Sequence, residues 1–121
     1  MKEIKTTKAP GAIGPYSQAI VSNGLVFFSG QIPLKDGILI DDYVLAVDVI
    51  MNNIKAILKE ANTSIDKLVK TTIFIKDISK FSIVNEAYEK HLTKPFAARS
   101  VVEVSNLPKN AILEIEGVAE V

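Results

Sequence analysis

Ala19-Ile20-Val21-Ser22-Asn23-Gly24-Leu25-Val26-Phe27-Phe28 consists of two short apolar runs around the dipeptide best suited to a tight turn. Asn-Gly tolerates the positive φ angles of a type I′ turn, whose twist matches that of the flanking strands, so the stretch predicts a β-hairpin. Lys35-Asp36-Gly37 marks a second turn. Upstream, Ala9-Pro10-Gly11-Ala12-Ile13-Gly14-Pro15-Tyr16 has two prolines and two glycines, which predicts a shaped loop, and its glycines lack the strand-to-helix context of a phosphate cradle.

Downstream the period changes from two to 3.6. After Asp41-Asp42, good helix-starting residues, the apolar positions Val44, Val47, Met51, Ile54, Leu58 and Ala61, with Ile50 and Ile57 beside them, form one broad face of a long helix. Asn62 suits the left-handed residue that ends it. A strand over 68–76 follows, with Val69, Thr71, Ile73 and Ile75 on its inward face. Asp77 or Ser79 then opens a second helix striped by Phe81, Val84, Ala87 or Tyr88, and Leu92. Two further alternating strands, 98–105 and 111–121, are joined by Asn106-Leu107-Pro108-Lys109-Asn110. The order predicts one α+β domain over residues 1–121, with two helices packed on one face of a single sheet. Leu25-Val26-Phe27-Phe28 and Ala111-Ile112-Leu113 are apolar on both sides, yet two helices cover only one face. The other face therefore predicts a homo-oligomer, with clefts between subunits as ligand sites.

Composition excludes several kinds of chemistry. Fourteen acidic and fourteen basic residues give zero net charge, so nucleic acid and anionic membrane are poor candidate partners. With no cysteine and one histidine, neither a thiol nucleophile nor a zinc site of the usual ligands can be assembled. Met1-Lys2-Glu3-Ile4-Lys5 has no apolar signal core and no stretch is long enough to span a membrane, so a cytoplasmic location is expected.

Arg99 is the one arginine among fourteen cationic residues, and it sits in the strand-like run Ala98-Arg99-Ser100-Val101-Val102-Glu103-Val104. A guanidinium presents a planar fork that holds a carboxylate through two parallel hydrogen bonds, which an ammonium cannot do. Alternation puts Arg99, Val101 and Glu103 on one face of that strand, and Ile112, Glu114, Glu116 and Val118 on one face of the last. If the two strands pair, or face one another across an interface, Arg99 can hold a substrate carboxylate while a glutamate positions water. The alternative is an arginine paired with a nearby glutamate for structural reasons. His91, near the end of the second helix, is expected to be solvated and not catalytic.

Gly14-Pro15-Tyr16-Ser17-Gln18-Ala19, Phe28-Ser29-Gly30-Gln31-Ile32-Pro33, Val69-Lys70-Thr71-Thr72, Val84-Asn85-Glu86-Ala87-Tyr88, Ala98-Arg99-Ser100 and Leu107-Pro108 through Glu114-Ile115-Glu116 resemble, in order and spacing, the Rid family, also called YjgF. The resemblance covers essentially the whole chain and is greatest to the RidA branch, the 2-iminobutanoate/2-iminopropanoate deaminases. It implies a chorismate-mutase-like subunit, a mixed six-stranded sheet with two helices on one face, assembled as a homotrimer with clefts at the subunit interfaces. It implies hydrolysis of 2-imino acids released by pyridoxal-phosphate enzymes to 2-oxo acids and ammonia, without a cofactor or metal of its own. By position, Arg99 matches the arginine that binds the substrate carboxylate and Glu114 the glutamate that positions water. Tyr16, Ser29 and Asn85 match residues lining the cleft. Two other functions stay open: binding of a 2-oxo acid at the same Arg99 pocket without turnover, and the ribonuclease or translation-inhibitor activity attributed to some relatives, which neutral charge disfavours. Val101 stands where many relatives carry cysteine, Ala98 replaces a common proline, and the segment 91–96 is shorter than usual.

Overall fold

The protein is described over all 121 residues by a computed structural model. Its strands are β1 (Lys2–Ile4), β2 (Ala19–Ser22), β3 (Leu25–Gln31), β4 (Leu34–Lys35), β5 (Ile38–Leu39), β6 (Leu68–Ile75), β7 (Ala98–Glu103) and β8 (Leu113–Glu120). The helices are α1 (Tyr43–Glu60) and α2 (Phe81–Glu89). Six strands form one sheet in the order β1-β2-β3-β8-β6-β7, and β4-β5 is a separate two-stranded hairpin. Every pairing in the large sheet is antiparallel except β6 with β7, and α2 is the crossover that this parallel pair requires.

The turn chemistry is local. Asn23 and Gly24 take φ of 55° and 79°, closing the β2–β3 hairpin with Ser22 opposite Leu25. Asp36 and Gly37, at 51° and 78°, do the same between β4 and β5. Asp42 caps α1, its carboxylate accepting from the Leu45 amide at 2.9 Å, and Asn62 follows the helix at φ 60°. Asp42→Ala removes that acceptor and should lower stability by about 1 kcal/mol. By thermal denaturation this is a Tm loss of roughly 4 °C, and an unchanged Tm would show that the cap contributes nothing.

The core is one cluster of 21 buried residues. Ile50, Met51, Ile54, Ile57 and Leu58 of α1 meet Val26 and Phe28 of β3, Ile73 and Ile75 of β6, and Leu113 and Ile115 of β8. The predicted inward face of β6 holds at Thr71, Ile73 and Ile75 but not at Val69, which is 43% exposed. The register with β8 slips between Leu68 and Lys70, and this bulge turns Val69 outward while Leu68 packs on the core. The last two strands do not pair with each other: β6 lies between β7 and β8. Alternation tells which residues share a face of a strand but not which strand lies beside it.

His91 departs from expectation. Its side chain is only 13% exposed, with Nε2 2.7 Å from Asp48 Oδ1 and Nδ1 2.9 Å from Lys55 Nζ. An ammonium only donates, so Nδ1 accepts from Lys55 and the Nε2 proton goes to Asp48. Both partners are on α1, so the imidazole fastens the end of the α2 region to α1 rather than facing water.

The face of the sheet opposite the helices carries Phe27, Phe74, Val102, Glu114, Glu116 and Val118, as the register of β3, β6, β7 and β8 dictates. Phe27 is 46% and Val102 42% exposed, so this face keeps apolar surface that no element of the chain covers. No helix is long and apolar enough to cross a membrane.

Candidate functional site

Arg99 lies opposite Thr71 in the parallel β6–β7 ladder, so its side chain shares the helix-bearing face with Thr71 and Ile73. β7 is an edge strand, which leaves the guanidinium at the rim of that face. Phe81, Asn85 and Tyr88 of α2 are spaced four and three residues apart, and that spacing aligns them on one side of the helix. The guanidinium carbon is 5.2 Å from the Phe81 ring centroid and 5.5 Å from that of Tyr88, both within cation–π range. One N–H donates to Asn85 Oδ1 at 2.7 Å. The Tyr88 hydroxyl is committed to Thr71 at 2.7 Å in the core, and burial holds that phenol above its ordinary value of 10.0. Tyr88 therefore contributes a neutral ring face.

The one contact between a basic side chain and a carboxylate is that of the neutral His91 ring with Asp48, so Arg99 has no carboxylate partner in its own chain. Arg99 thus forms no structural ion pair within the chain. Glu103, the nearest acid in sequence, spends its Oε2 accepting from the Ile78 amide at 2.8 Å. Four of the five guanidinium N–H groups remain uncommitted beside a cavity of about 320 Å³ walled by Tyr88, Leu92, Phe96 and Ala97 and also lined by Glu89.

Glu114 belongs to a different surface. It pairs with Phe74 on the open face, two strands from β7, and its side chain leans toward β3. Burial pushes its carboxyl above the ordinary glutamate value of 4.5, and Glu116 two residues along adds repulsion in the same direction. β3 is irregular at this point: Phe28 pairs with Gly117 and Gln31 with Ile115, so three steps on β3 match two on β8. Ser29 and Gly30 fill the extra step.

Ser29 Oγ donates to the Ser17 carbonyl at 2.6 Å and so ties the entry loop to β3, keeping only its acceptor lone pairs for a ligand. Tyr16 is 52% exposed, and its hydroxyl accepts from the Ile13 amide at 3.2 Å. Gln18 sets the loop's path, its side-chain amide donating to the Thr6 and Pro10 carbonyls at 3.0 and 2.8 Å.

The five predicted site residues thus fall into two groups. Arg99 and Asn85 sit together on the helix side of one edge strand. Glu114 with Ser29, and Tyr16 beyond them, belong to the β8–β3–β2 side. Two strand steps of roughly 4.8 Å and three residues along the ladder at roughly 3.3 Å each put the backbones of Arg99 and Glu114 about 14 Å apart, with side chains on opposite faces, and the Tyr16 loop begins four strand steps, about 19 Å, away. Within one chain these residues do not converge. The largest cavity, about 650 Å³ between the 7–10 loop, the β4–β5 hairpin and α1, contains none of them.

A family model described as Endoribonuclease L-PSP matches residues 6–121. The 2-iminobutanoate/2-iminopropanoate deaminase of Salmonella typhimurium is 42% identical over 123 residues, 98% of this chain and 96% of that protein. The chain belongs to the Rid (YjgF) family. A protein named putative regulator AldR, from Lactococcus lactis, is 49% identical over 124 residues, 100% of this chain and 98% of its own. The crystal structure of YyfA of Yersinia pestis, described as a protein of unknown function of the conserved Rid family, superposes with a TM-score of 0.96 at 48% identity, covering 99% and 98% of the two chains. The mixed six-stranded sheet with two helices expected of a Rid subunit is the observed one.

Sequence reasoning missed Phe81 and Tyr88 as the partners of Arg99. Phe81 and Tyr88 read as core stripe residues, and their seven-residue spacing was the available signal. Only the parallel crossover, which lays α2 beside β7, turns that stripe toward Arg99.

Proposed function

We propose that the protein hydrolyses 2-imino acids to 2-oxo acids and ammonia, at sites completed between copies of the chain in a homotrimer. The observation that carries this reading is the Arg99 guanidinium, held over two aromatic rings and by Asn85, paired with no carboxylate of its chain, and open to a cavity. Such a group is preorganised for a carboxylate, because the partners that hold its plane leave the fork unoccupied. The separation of Arg99 from Glu114 supports an intermolecular site: each chain offers two different half-sites, and a closed ring joins one to the other at every interface. The apolar open face around Phe27 and Val102 supplies surface for that contact.

The chemistry demands little of the protein. A protonated imine is already electrophilic, so Arg99 fixes the acid while Glu114 orients a water against the C=N carbon and takes one of its protons. Water oxygen bonds to carbon, the C=N electron pair goes to nitrogen, and the proton held by Glu114 passes to the departing amine. Glu114, ionised again, takes the remaining hydroxyl proton as the oxygen electron pair forms C=O and the C–N bond breaks; ammonia and the 2-oxo acid are released, and that proton leaves with the ammonia as ammonium. The test generates 2-iminopropanoate in situ with an amino-acid-oxidising enzyme and traps what remains with semicarbazide. Native protein is expected to suppress the adduct, and an undiminished adduct would overturn the reading.

Glu114 yields a pH prediction. It must be ionised to accept a proton from water, and its raised value moves the acid limb of activity above the usual glutamate range. For stability the sign is opposite. A raised carboxyl favours the native state fully below the ordinary value of 4.5 and loses that contribution as pH rises through the folded value. Glu114→Gln should therefore lose turnover yet show, at neutral pH, a Tm no lower than native, and the Tm difference between the two should shrink on acidification. A lower Tm at neutral pH would show the carboxylate to be structural.

A second reading, binding of a 2-oxo acid without turnover, is favoured by the relative named putative regulator. It predicts that native protein binds pyruvate but leaves the semicarbazide adduct unchanged. Ribonuclease activity finds less support, because the one histidine is engaged by Asp48 and Lys55.

A further inference from the structure

Gly30 sits in the interior of β3, where glycine is normally unfavourable, and its φ is not in the left-handed region that would demand it. Something other than backbone conformation requires the missing side chain. A Cβ built at Gly30 would lie 2.7 Å from Glu114 Cδ, 3.0 Å from Glu114 Cγ and 3.0 Å from Glu114 Oε1. All three nearest atoms belong to that one side chain.

We infer that Gly30 is the positioning residue for the Glu114 carboxyl group: the absent side chain leaves a slot over β3 into which the glutamate folds, and any substituent there evicts it. The β-bulge at Ser29–Gly30 gives this slot its place. By inserting a residue opposite β8, it sets the Gly30 α-carbon under the side chain of Glu114, rather than under the core-facing Leu113 or Ile115. Lying against the strand, the carboxyl group loses water on one side, which agrees with burial as the leading cause of its raised value. Glu114 is only half-buried, as a base acting on water requires. Ser29 fixes the same bulge from the neighbouring position through its bond to Ser17, so the slot is held rigid by the entry loop.

A methyl group at residue 30 meets only the flexible end of a side chain, so the fold should survive while the carboxyl group moves by several tenths of an ångström or swings to solvent. For a base that must lie within hydrogen-bond reach of one water, that displacement is costly. Gly30→Ala is expected to lower kcat by 10- to 100-fold while pyruvate affinity, read by calorimetry, stays within about twofold. Its acid limb should shift down toward the usual glutamate range. In the Glu114→Gln background the same substitution should change kcat by less than twofold, since the group it displaces is already disabled. An equal fractional loss in both backgrounds, or an unchanged kcat in Gly30→Ala, overturns the inference.

The kinetic arm rests on the hydrolytic reading, so a second measurement is independent of it. The Glu114 carboxyl carbon, titrated by NMR, should titrate at lower pH in Gly30→Ala than in native protein. If neither native protein nor variant consumes imine but that carbon shifts as stated, the hydrolytic reading has failed and the slot stands. If native protein turns over and the carbon does not shift, the slot has failed alone. Should Gly30→Ala prove unstable, the Gly30→Ala/Glu114→Ala double variant decides: removing the side chain that the methyl meets should restore the Tm, and a double variant as unstable as the single one overturns the inference.

Discussion

Arg99→Lys should reduce turnover of 2-iminopropanoate by about 100-fold or more, a loss of about 2.7 kcal/mol in transition-state stabilisation, while the Tm falls by no more than about 4 °C. The variant keeps its positive charge, so a site using only charge would lose little. What disappears is geometry. Lysine cannot lie flat between Phe81 and Tyr88, cannot donate to Asn85 and still present two parallel N–H groups, and leaves the acid free to rotate about a single contact. Folding should be almost indifferent because Arg99 is exposed on an edge strand and joins no ion pair, and cation–π contacts at such sites are worth about 0.5–1 kcal/mol. Trapped adduct and thermal denaturation measured on the same preparation separate the two effects. Near-native turnover by the lysine variant would mean that the guanidinium fork does not hold the substrate.

The features legible in the sequence were those whose cause is local. Asn23-Gly24, Asp42 and Asn62 each act through their own backbone or the next few residues, and the structure places all three as read. The inward stripes of α1 and α2 were equally accessible, because 3.6-residue spacing against an apolar core is a property of the chain alone; the exception is Val44, 42% exposed in the first turn of α1. Strand adjacency is different in kind. Nothing in the alternation of β7 and β8 tells that β6 runs between them, and so nothing told that Arg99 and Glu114 point away from each other within a subunit. The bulges at Val69 and at Ser29–Gly30 were hidden for the same reason, since each is a mismatch between two strands rather than a feature of one. His91 was misread because a position near a helix end resembles solvent until the helix it packs on, with Asp48 and Lys55, is known.

Gly117→Ala should be the most destabilising single-methyl change in the sheet, costing about 3 kcal/mol, or a Tm loss of roughly 12 °C. Gly117, like Gly30, lies within a strand without left-handed φ, and a Cβ at either would fall inside contact distance. The difference is in what the methyl meets. At Gly117 it would be 2.6 Å from the Lys70 carbonyl oxygen and 2.6 Å from Phe28 Cζ. The carbonyl belongs to the backbone of β6, held between β8 and β7 beside the bulge at Val69, and cannot withdraw without breaking the ladder. The Phe28 ring is 4% exposed, packed in the core cluster, and has no vacant volume to enter. Overpacking of this kind forces backbone movement in the strand that carries Glu114, so activity should fall together with stability. At Gly30 the neighbour is a movable carboxyl group, and function should fall with little change in stability. Paired Tm and turnover measurements on the two alanine variants therefore separate a glycine kept for the fold from one kept for the site, and a Gly117→Ala protein as stable as native would show that β6 and β8 can part at this point without loss.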